Sequence, residues 1–337
     1  MNKFKAVIIG CGAIAPVHAA AIRASEHAML YGVCDIIPER MEAISAGGGQ
    51  PQGSPLRFPT LTAVLADPAV DAVHICTPHH LHRDMILACE QAGKAVVIEK
   101  PVAISLDELT SLQSLSVPAM TVLQNRYNSA IQRAKELIHS GEMGKVIGIR
   151  GSVYWMRDAA YYASGDWRGK WATEGGGVVI NQAIHTLDLL DYLGGGARSI
   201  KGSMDTRALG DCIEVEDTAE ATLYFDGGVR GHFFATNANH NNAPIEITIS
   251  LEHGTLNYRG GKLFDGDWNL LESDKSSTGG ESYWGASHRV VIGNFYASLA
   301  GKSATYPTLH GGLRATELAL ALYQSARSGE RVEVVFA

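Results

Sequence analysis

A lysine closes one of the most apolar runs in the chain. Ala95-Val96-Val97-Ile98 has the character of a strand buried on both faces, and it ends in Glu99-Lys100-Pro101. An ammonium placed there can donate to a substrate hydroxyl and stabilise developing alkoxide charge. Partial burial would also lower its pKa toward working pH. The plain alternative is a solvated lysine at a strand end. The second candidate is Gly175-Gly176-Gly177-Val178-Val179-Ile180-Asn181-Gln182-Ala183-Ile184-His185-Thr186-Leu187-Asp188. Three glycines allow close backbone approach to a ligand, and a helix is expected from about Gln182 to Leu193. Asn181 and His185 are four apart and His185 and Asp188 three apart, so a helix puts all three on one face. His185 then reads as a general base, its ring oriented by Asp188 or by a backbone group. A buried histidine satisfied locally by Asp188 is the bland reading.

Further candidates carry less signal. Thr77-Pro78-His79 and His82 lie at a cofactor-side strand end and, with Glu99 and Lys100, are expected to contact the cofactor. Capping or packing is the plain alternative for His82, and His288 opens a helix. Tyr161, Tyr162, Trp167 and Arg168 make a loop suited to stacking on a sugar ring, gripping an anion or contacting another subunit. Tyr127 follows the last strand of the first half as a possible substrate contact.

These residues need a frame, and the first thirty-five residues supply one. Lys5 to Gly10 is a short apolar strand, broken by Gly10-Cys11-Gly12-Ala13-Ile14-Ala15, a G-x-G-x-x-A turn that opens an Ala-rich helix to about Ser25. Gly10 permits a tight turn, Gly12 lets backbone approach a pyrophosphate, and Ala15 lets helix and strand sit close. The helix start at Ala13 and Ile14 offers amide N–H groups and partial positive charge to phosphates. A second strand, Ala28 to Cys34, ends at Asp35, placed to accept from adenosine ribose hydroxyls. A carboxylate there repels a 2′-phosphate, so NAD is favoured over NADP, with Arg40 as a possible counterweight.

Strands alternate with helices as far as Met120–Leu123, which argues for a parallel, doubly wound α/β sheet over residues 1–124. The segment 46–53, rich in glycine, is expected to be a flexible loop. Residues 125–337 differ. After a linking helix (Ser129 to Ser140) come strand-like runs at Val146–Met156, Ala219–Phe225, Val229–Ala235, Ile245–Leu251 and Gly254–Tyr258, then helices near 287–299 and 313–328 and a last strand at Val332–Phe336. This predicts an α+β domain on one large, open, mostly antiparallel sheet. Helices look too few to cover both faces, so an apolar open face is expected to be buried in a homodimer or homotetramer.

A formal net charge of −7 with no basic block argues against nucleic acid or an anionic membrane as partner. The five cysteines (Cys11, Cys34, Cys76, Cys89, Cys212) show neither C-x-x-C nor zinc spacing. No metal is expected, and reduced thiols in a cytoplasmic setting are. No apolar run reaches the length needed to span a bilayer.

Taken together, the G-x-G-x-x-A turn, Thr77-Pro78-His79 with His82, Glu99-Lys100-Pro101 and the Gly175–Asp188 stretch resemble the Gfo/Idh/MocA oxidoreductases, along the whole chain and in order. The resemblance implies a Rossmann domain plus an open-sheet domain, a nicotinamide cofactor, assembly through the sheet, and sugar, cyclitol or nucleotide-sugar substrates. It carries the family's catalytic lysine to Lys100 and its histidine to His185. Where many members have Asp four residues before the histidine, this chain has Asn181, which can orient a hydroxyl but cannot take its proton. An NAD-dependent dehydrogenase acting on a secondary hydroxyl is the expectation. A redox-neutral enzyme that recycles bound NAD and a non-catalytic NAD sensor are the other classes.

Overall fold

A computed structural model of the protein describes residues 3–46, 53–274 and 287–336. The expected loop at 46–53 therefore falls, apart from its ends, outside the described residues. The first half runs β1 (Phe4–Ile9), α1 (Ala15–Ala24), β2 (Ala28–Cys34), α2 (Pro38–Ala46), β3 (Leu56–Phe58), α3 (Leu61–Ala66), β4 (Ala72–Ile75), α4 (His82–Gln91), β5 (Ala95–Ile98), α5 (Leu106–Ser111) and β6 (Ala119–Thr121). Its strands form a parallel sheet in the order β3-β2-β1-β4-β5-β6. Every residue of β4 and β5 is buried, which is why those strands read as unbroken apolar runs. The sequence pattern does not announce β3, a three-residue edge strand with only Phe58 buried. The order reverses between β1 and β4, so a crevice opens at their carboxyl ends, where Gly10 and Thr77 lie.

The second half runs α6 (Ser129–Ser140), β7 (Val146–Tyr154), α7 (Ala159–Ala163), α8 (Ile184–Gly194), β8 (Ser199–Asp205), β9 (Thr218–Tyr224), β10 (Arg230–Thr236), β11 (Glu246–Leu251), β12 (Gly254–Arg259), β13 (Lys262–Phe264), β14 (Leu270–Ser273), α9 (His288–Leu299), α10 (Leu309–Ser328) and β15 (Val332–Glu333). Among the described residues its sheet has nine strands, ordered β14-β13-β12-β11-β7-β10-β9-β8-β15. Only the β7–β10 pair is parallel.

Period-two alternation sorts this sheet into two faces. Ile149, Gly151 and Val153 of β7 face inward against α8, so close that a Cβ at Gly151 would stand 3.1 Å from both Thr186 and Leu190. The other face is open, but it is not the apolar surface the composition suggests. It carries Arg150, Ser152, Glu220, Thr222, His232, Thr248 and Asn257, with Tyr154 stacked on Phe234. The apolar half of each strand has gone to the helices instead. Helix α9 packs on α1, and its Val291, Ile292, Phe295 and Tyr296 join the apolar cluster of Ala6, Ile8 and Ile22. Helix α10 lies on β8 and also touches β6, where a Cβ on Gly312 would collide with Thr121. The C-terminal helices thus pin the two sheets together.

One junction sets the site's geometry. Before α8 begins, Val178–Gln182 forms a single π turn. Its amides are held from across the domain by Glu216, which accepts from Gly177 N at 2.8 Å and Val179 N at 3.0 Å and takes the Tyr323 hydroxyl at 2.7 Å. Gly177 has no room for a side chain, since a Cβ would stand 1.9 Å from the Glu216 carbonyl oxygen.

Burial raises the Glu216 carboxyl from 4.5 to about 7, against the pull of those hydrogen bonds. The folded state therefore binds this proton more tightly than the unfolded chain. Stability from Glu216 is complete below about pH 4.5 and is lost as pH rises toward 7, by about 3 kcal/mol at ~1.4 kcal/mol per unit. The unfolding free energy of Glu216→Gln relative to wild type should rise by about that amount across the same window. Denaturant titrations of both proteins at pH 4.5 and 7.5 read this directly, and a constant difference would contradict it.

Candidate active site

The glycine turn behaves as its residue types require. Gly10 has φ +85°, and a Cβ there would stand 2.6 Å from the Cys76 carbonyl oxygen. Around Gly12, by contrast, nothing lies within 4 Å of a Cβ position, which leaves backbone open to a ligand. The Ala13 and Ile14 amides donate to no described residue. Asp35 stands at the end of β2, where Oδ2 accepts from Cys11 N (2.6 Å) and Oδ1 from Ile37 N (2.8 Å). It thereby braces the turn while each oxygen keeps a lone pair for a ribose hydroxyl. Arg40 is exposed on α2. Ile36, 96% exposed beside Asp35, offers a flat ring an apolar surface that sequence reading passed over. These features fit a dinucleotide: free helix-start amides, an open glycine and a carboxylate at the next strand end.

At the other edge of the crevice, Lys100 leaves β5 and its Nζ donates to the Asn181 carbonyl at 2.9 Å. Burial lowers the Lys100 pKa and Arg168 lowers it further, while Glu99 and Glu174 act against them. Thr77 and Pro78 are half-buried at the β4 end, and the Thr77 hydroxyl donates to Met85 Sδ at 3.5 Å. His79 is buried, donates through Nδ1 to the Glu174 carbonyl at 2.8 Å, and lies against Trp167. Burial, then His82 and Lys100, hold it well below the ordinary histidine range.

His82 does not face the cofactor crevice as expected. It is fully buried, with Nδ1 2.6 Å from the Pro101 carbonyl and Nε2 2.8 Å from the Thr77 carbonyl, so its ring clamps the β4 and β5 ends together. Glu99 likewise points inward, to His18 at 3.0 Å. Burial raises this carboxyl, but the hydrogen bond and charge of His18 outweigh it and hold Glu99 at about 2. His288 is buried beside this pair, pushed down to about 4 by burial.

The π turn removes the simple helical face expected for Asn181, His185 and Asp188. Asp188 is not the partner of His185. It forms a two-pronged salt bridge with Arg126, at 2.8 and 2.5 Å, and the pair is almost wholly enclosed. Breaking such a pair costs about 3–5 kcal/mol because it strands a buried charge. His185 Nδ1 is enclosed without a hydrogen-bond partner, and Nε2 lies 3.4 Å from Gln124 Nε2. Nε2 is therefore the nitrogen that can serve a substrate. Burial, then the Lys100 charge, press the His185 pKa down to about 3, so the ring is neutral.

Of the aromatic loop, the structure brings Tyr161 rather than Tyr162 to the site. The Tyr161 hydroxyl accepts from Gln182 Nε2 (2.9 Å) and Arg168 Nη1 (2.5 Å). Tyr162 is buried, its hydroxyl bonded to Asn237 Nδ2 at 3.0 Å. Alternation on the short helix α7 separates the two. Arg168 stacks over both Tyr161 and Trp167, and Arg157 over Tyr161. Tyr127 packs on the same apolar cluster as Ile14 and Tyr306. Sequence reading missed Gln124, Arg126 and Glu174. Glu174 stands directly before the glycine run, the one local hint of its place.

Fold and site together define an NAD-binding oxidoreductase of the Rossmann class. Residues 4–127 match the family described as "Oxidoreductase family, NAD-binding Rossmann fold", and residues 131–257 match the GFO/IDH/MocA C-terminal domain. The chain belongs to the Gfo/Idh/MocA family. Among solved structures it is similar to the WlbA dehydrogenase from Bordetella pertussis in complex with NADH and UDP-GlcNAcA, at 31% identity over 99% of both chains and a TM-score of 0.87. A WlbA dehydrogenase structure from a second bacterium, with the same two ligands, is 28% identical over 99% of this chain and 97% of that one, at TM-score 0.85. Among curated relatives, the scyllo-inositol 2-dehydrogenase (NAD(+)) of Bacillus subtilis is 29% identical over 76% of this chain and 73% of its own. The chain spans about half the length of other relatives, such as the levoglucosan dehydrogenase of Pseudarthrobacter phenanthrenivorans, 27% identical over 57% of this chain and 55% of that protein.

The two glycines of the turn should separate folding from cofactor binding. Gly10→Ala strains a left-handed position and collides with β4 backbone, so the melting temperature should fall by several degrees. Gly12→Ala meets open space and should leave melting unchanged while weakening NADH at least tenfold in a fluorescence titration. Unchanged NADH affinity in Gly12→Ala would show that the pyrophosphate does not approach there.

Proposed function

We propose that the protein catalyses hydride transfer between NAD and a secondary hydroxyl of a sugar, with a UDP-linked sugar acid as the first candidate substrate. The observation that carries this reading is the Lys100 ammonium drawn by the Asn181 carbonyl onto the segment that also bears His185, at the mouth of the nucleotide crevice. Bound NAD supplies the hydride acceptor. Lys100 donates to the substrate oxygen and stabilises it as alkoxide character grows. His185, held neutral by burial, takes the hydroxyl proton. Asn181 holds the substrate in register. Arg168 makes no salt bridge among the described residues, and with Arg157 it frames the Tyr161 ring, an arrangement suited to a carboxylate or diphosphate. The Asp35 carboxylate favours NAD over NADP. The full-length likeness to the WlbA structures supports the nucleotide-sugar class.

NADH formation measured across UDP-linked uronic acids, UDP-sugars, free sugars and inositols should be strongest with a UDP-linked uronic acid. His185→Ala and Lys100→Met should lower kcat on that substrate by about 10²–10⁴ with NADH affinity retained. Silence across the panel from NAD-loaded protein would favour a redox-neutral enzyme that recycles its cofactor. Full turnover by His185→Ala would remove it as base.

We also propose that the open face of the nine-stranded sheet mediates self-association. Its mixed Arg, Glu, Thr and Asn surface with the Tyr154–Phe234 pair suits a polar, hydrogen-bonded interface. Light scattering should return two or four times the 36.0 kDa chain mass; a monomer would refute this.

A further inference from the structure

Position 181 carries an amide, and a carboxylate stands directly behind it. Glu174 is 0% exposed, although it is an acid. Its Oε2 accepts from Gly169 N at 2.5 Å and its Oε1 accepts from Asn181 Nδ2. Its own carbonyl takes the Nδ1–H of His79. Asn181 in turn holds Lys100 through its backbone carbonyl, and no described residue donates to its side-chain Oδ1.

Burial raises the Glu174 carboxyl above its usual range, while the Gly169 and Asn181 hydrogen bonds and the Arg168 and Lys100 charges favour its ionised form, which only accepts hydrogen bonds. Asn181 must therefore turn its NH2 toward Glu174, which leaves Oδ1 as the atom offered to the cleft. We propose that Glu174 is a positioning residue: its carboxylate locks Asn181 so that Oδ1 presents to the substrate the acceptor that an aspartate would present, and its negative charge sustains the Lys100 ammonium from one layer back. This rests on the dehydrogenase reading above and extends it.

The demand for a carboxylate at 174 is strict, because two donors converge on it. Gly169 N–H and the Asn181 NH2 each need an oxygen. An amide has only one, so Glu174→Gln must either set its NH2 against Gly169 N–H or force Asn181 to flip and present a donor to the cleft. The charges around Lys100 come from several elements: Glu99 beside it just after β5, and Glu174 and Arg168 from the aromatic loop, while the imidazole of His185 on α8 is neutral. Glu174 itself faces Lys100, Arg168 and the Tyr162 hydroxyl. Of the two acids acting on Lys100, Glu99 acts more strongly and is joined to His18, while Glu174 acts from behind Asn181.

The reciprocal exchange makes this testable. In Glu174→Gln/Asn181→Asp the new amide oxygen can serve Gly169, its NH2 can serve the new carboxylate, and that carboxylate still offers an acceptor to the cleft. Two readouts are needed on the NAD-loaded protein. The first is the pH dependence of Lys100 acetylation by acetic anhydride, resolved by peptide mass spectrometry, which requires no substrate. The second is kcat and KM on the UDP-linked uronic acid panel. Glu174→Gln should shift the Lys100 labelling midpoint down and lower kcat/KM about tenfold, with NADH affinity close to wild type. Asn181→Asp should also lose activity, since two carboxylates then face each other. The double exchange should restore both readouts.

An unchanged Lys100 midpoint in Glu174→Gln would overturn the proposal, even if the dehydrogenase reading stands. A loss of activity accompanied by a fall in melting temperature and an unmoved midpoint would make Glu174 merely structural. If Glu174→Gln does not fold, a double exchange that folds but stays inactive on a substrate the wild type turns over has the same force. A silent panel with a shifted midpoint would count against the dehydrogenase reading and leave the electrostatic role of Glu174 in place.

Discussion

A carboxylate buried at the back of the second domain governs the geometry of the cleft. Glu216 gathers the Gly177 and Val179 amides, and the chain can come that close only because residue 177 has no side chain. The hydrogen bonds offset part of the cost of burying a charge, and the raised carboxyl pKa shows that the rest is not recovered. What the fold obtains is a π turn in place of a regular first helical turn. That turn directs the Asn181 carbonyl at Lys100 and sets the angle at which α8 leaves with His185.

The charges of the cleft follow from how each group is enclosed. The histidines His79, His185 and His288 are all driven toward the neutral form by burial, and Lys100 adds to the effect. The fixed cations are thus Lys100 and Arg168, a disposition that suits an oxygen gaining negative charge. Other buried pairs in the same region are structural, with only a minor effect of Arg126 on His185. Arg126–Asp188 and Arg314–Asp191 neutralise each other and fasten α8 to the segment after β6 and to α10. Helices packed on a sheet hold side chains in place better than loops would.

The two domains also share their anchoring. His18 on the cofactor helix α1 bonds His74 on β4, which in turn bonds the Tyr296 hydroxyl of α9 at 2.7 Å. A C-terminal helix therefore supports the helix that follows the glycine turn. With α10 bridging β6 and β8, the dinucleotide-binding sheet and the nine-stranded sheet are built as one object.

Much of this is local and was legible in residue order. The G-x-G-x-x-A turn, the buried strands β4 and β5, the lysine at a strand end and the histidine after a glycine run all depend on short-range rules: which residues tolerate a tight turn, which runs can be buried on both faces, which spacing makes a helix. The tertiary structure alone decided how the acids were assigned. Asp188 lies three residues from His185 yet serves Arg126, sixty-two positions away; Glu216 serves Gly177, thirty-nine away. Tyr161 reaches the cleft while its neighbour Tyr162 serves Asn237. A buried carboxylate goes to whichever donors the packed chain brings to it. Sequence spacing specifies the neighbours along one element, but not those that arrive from another.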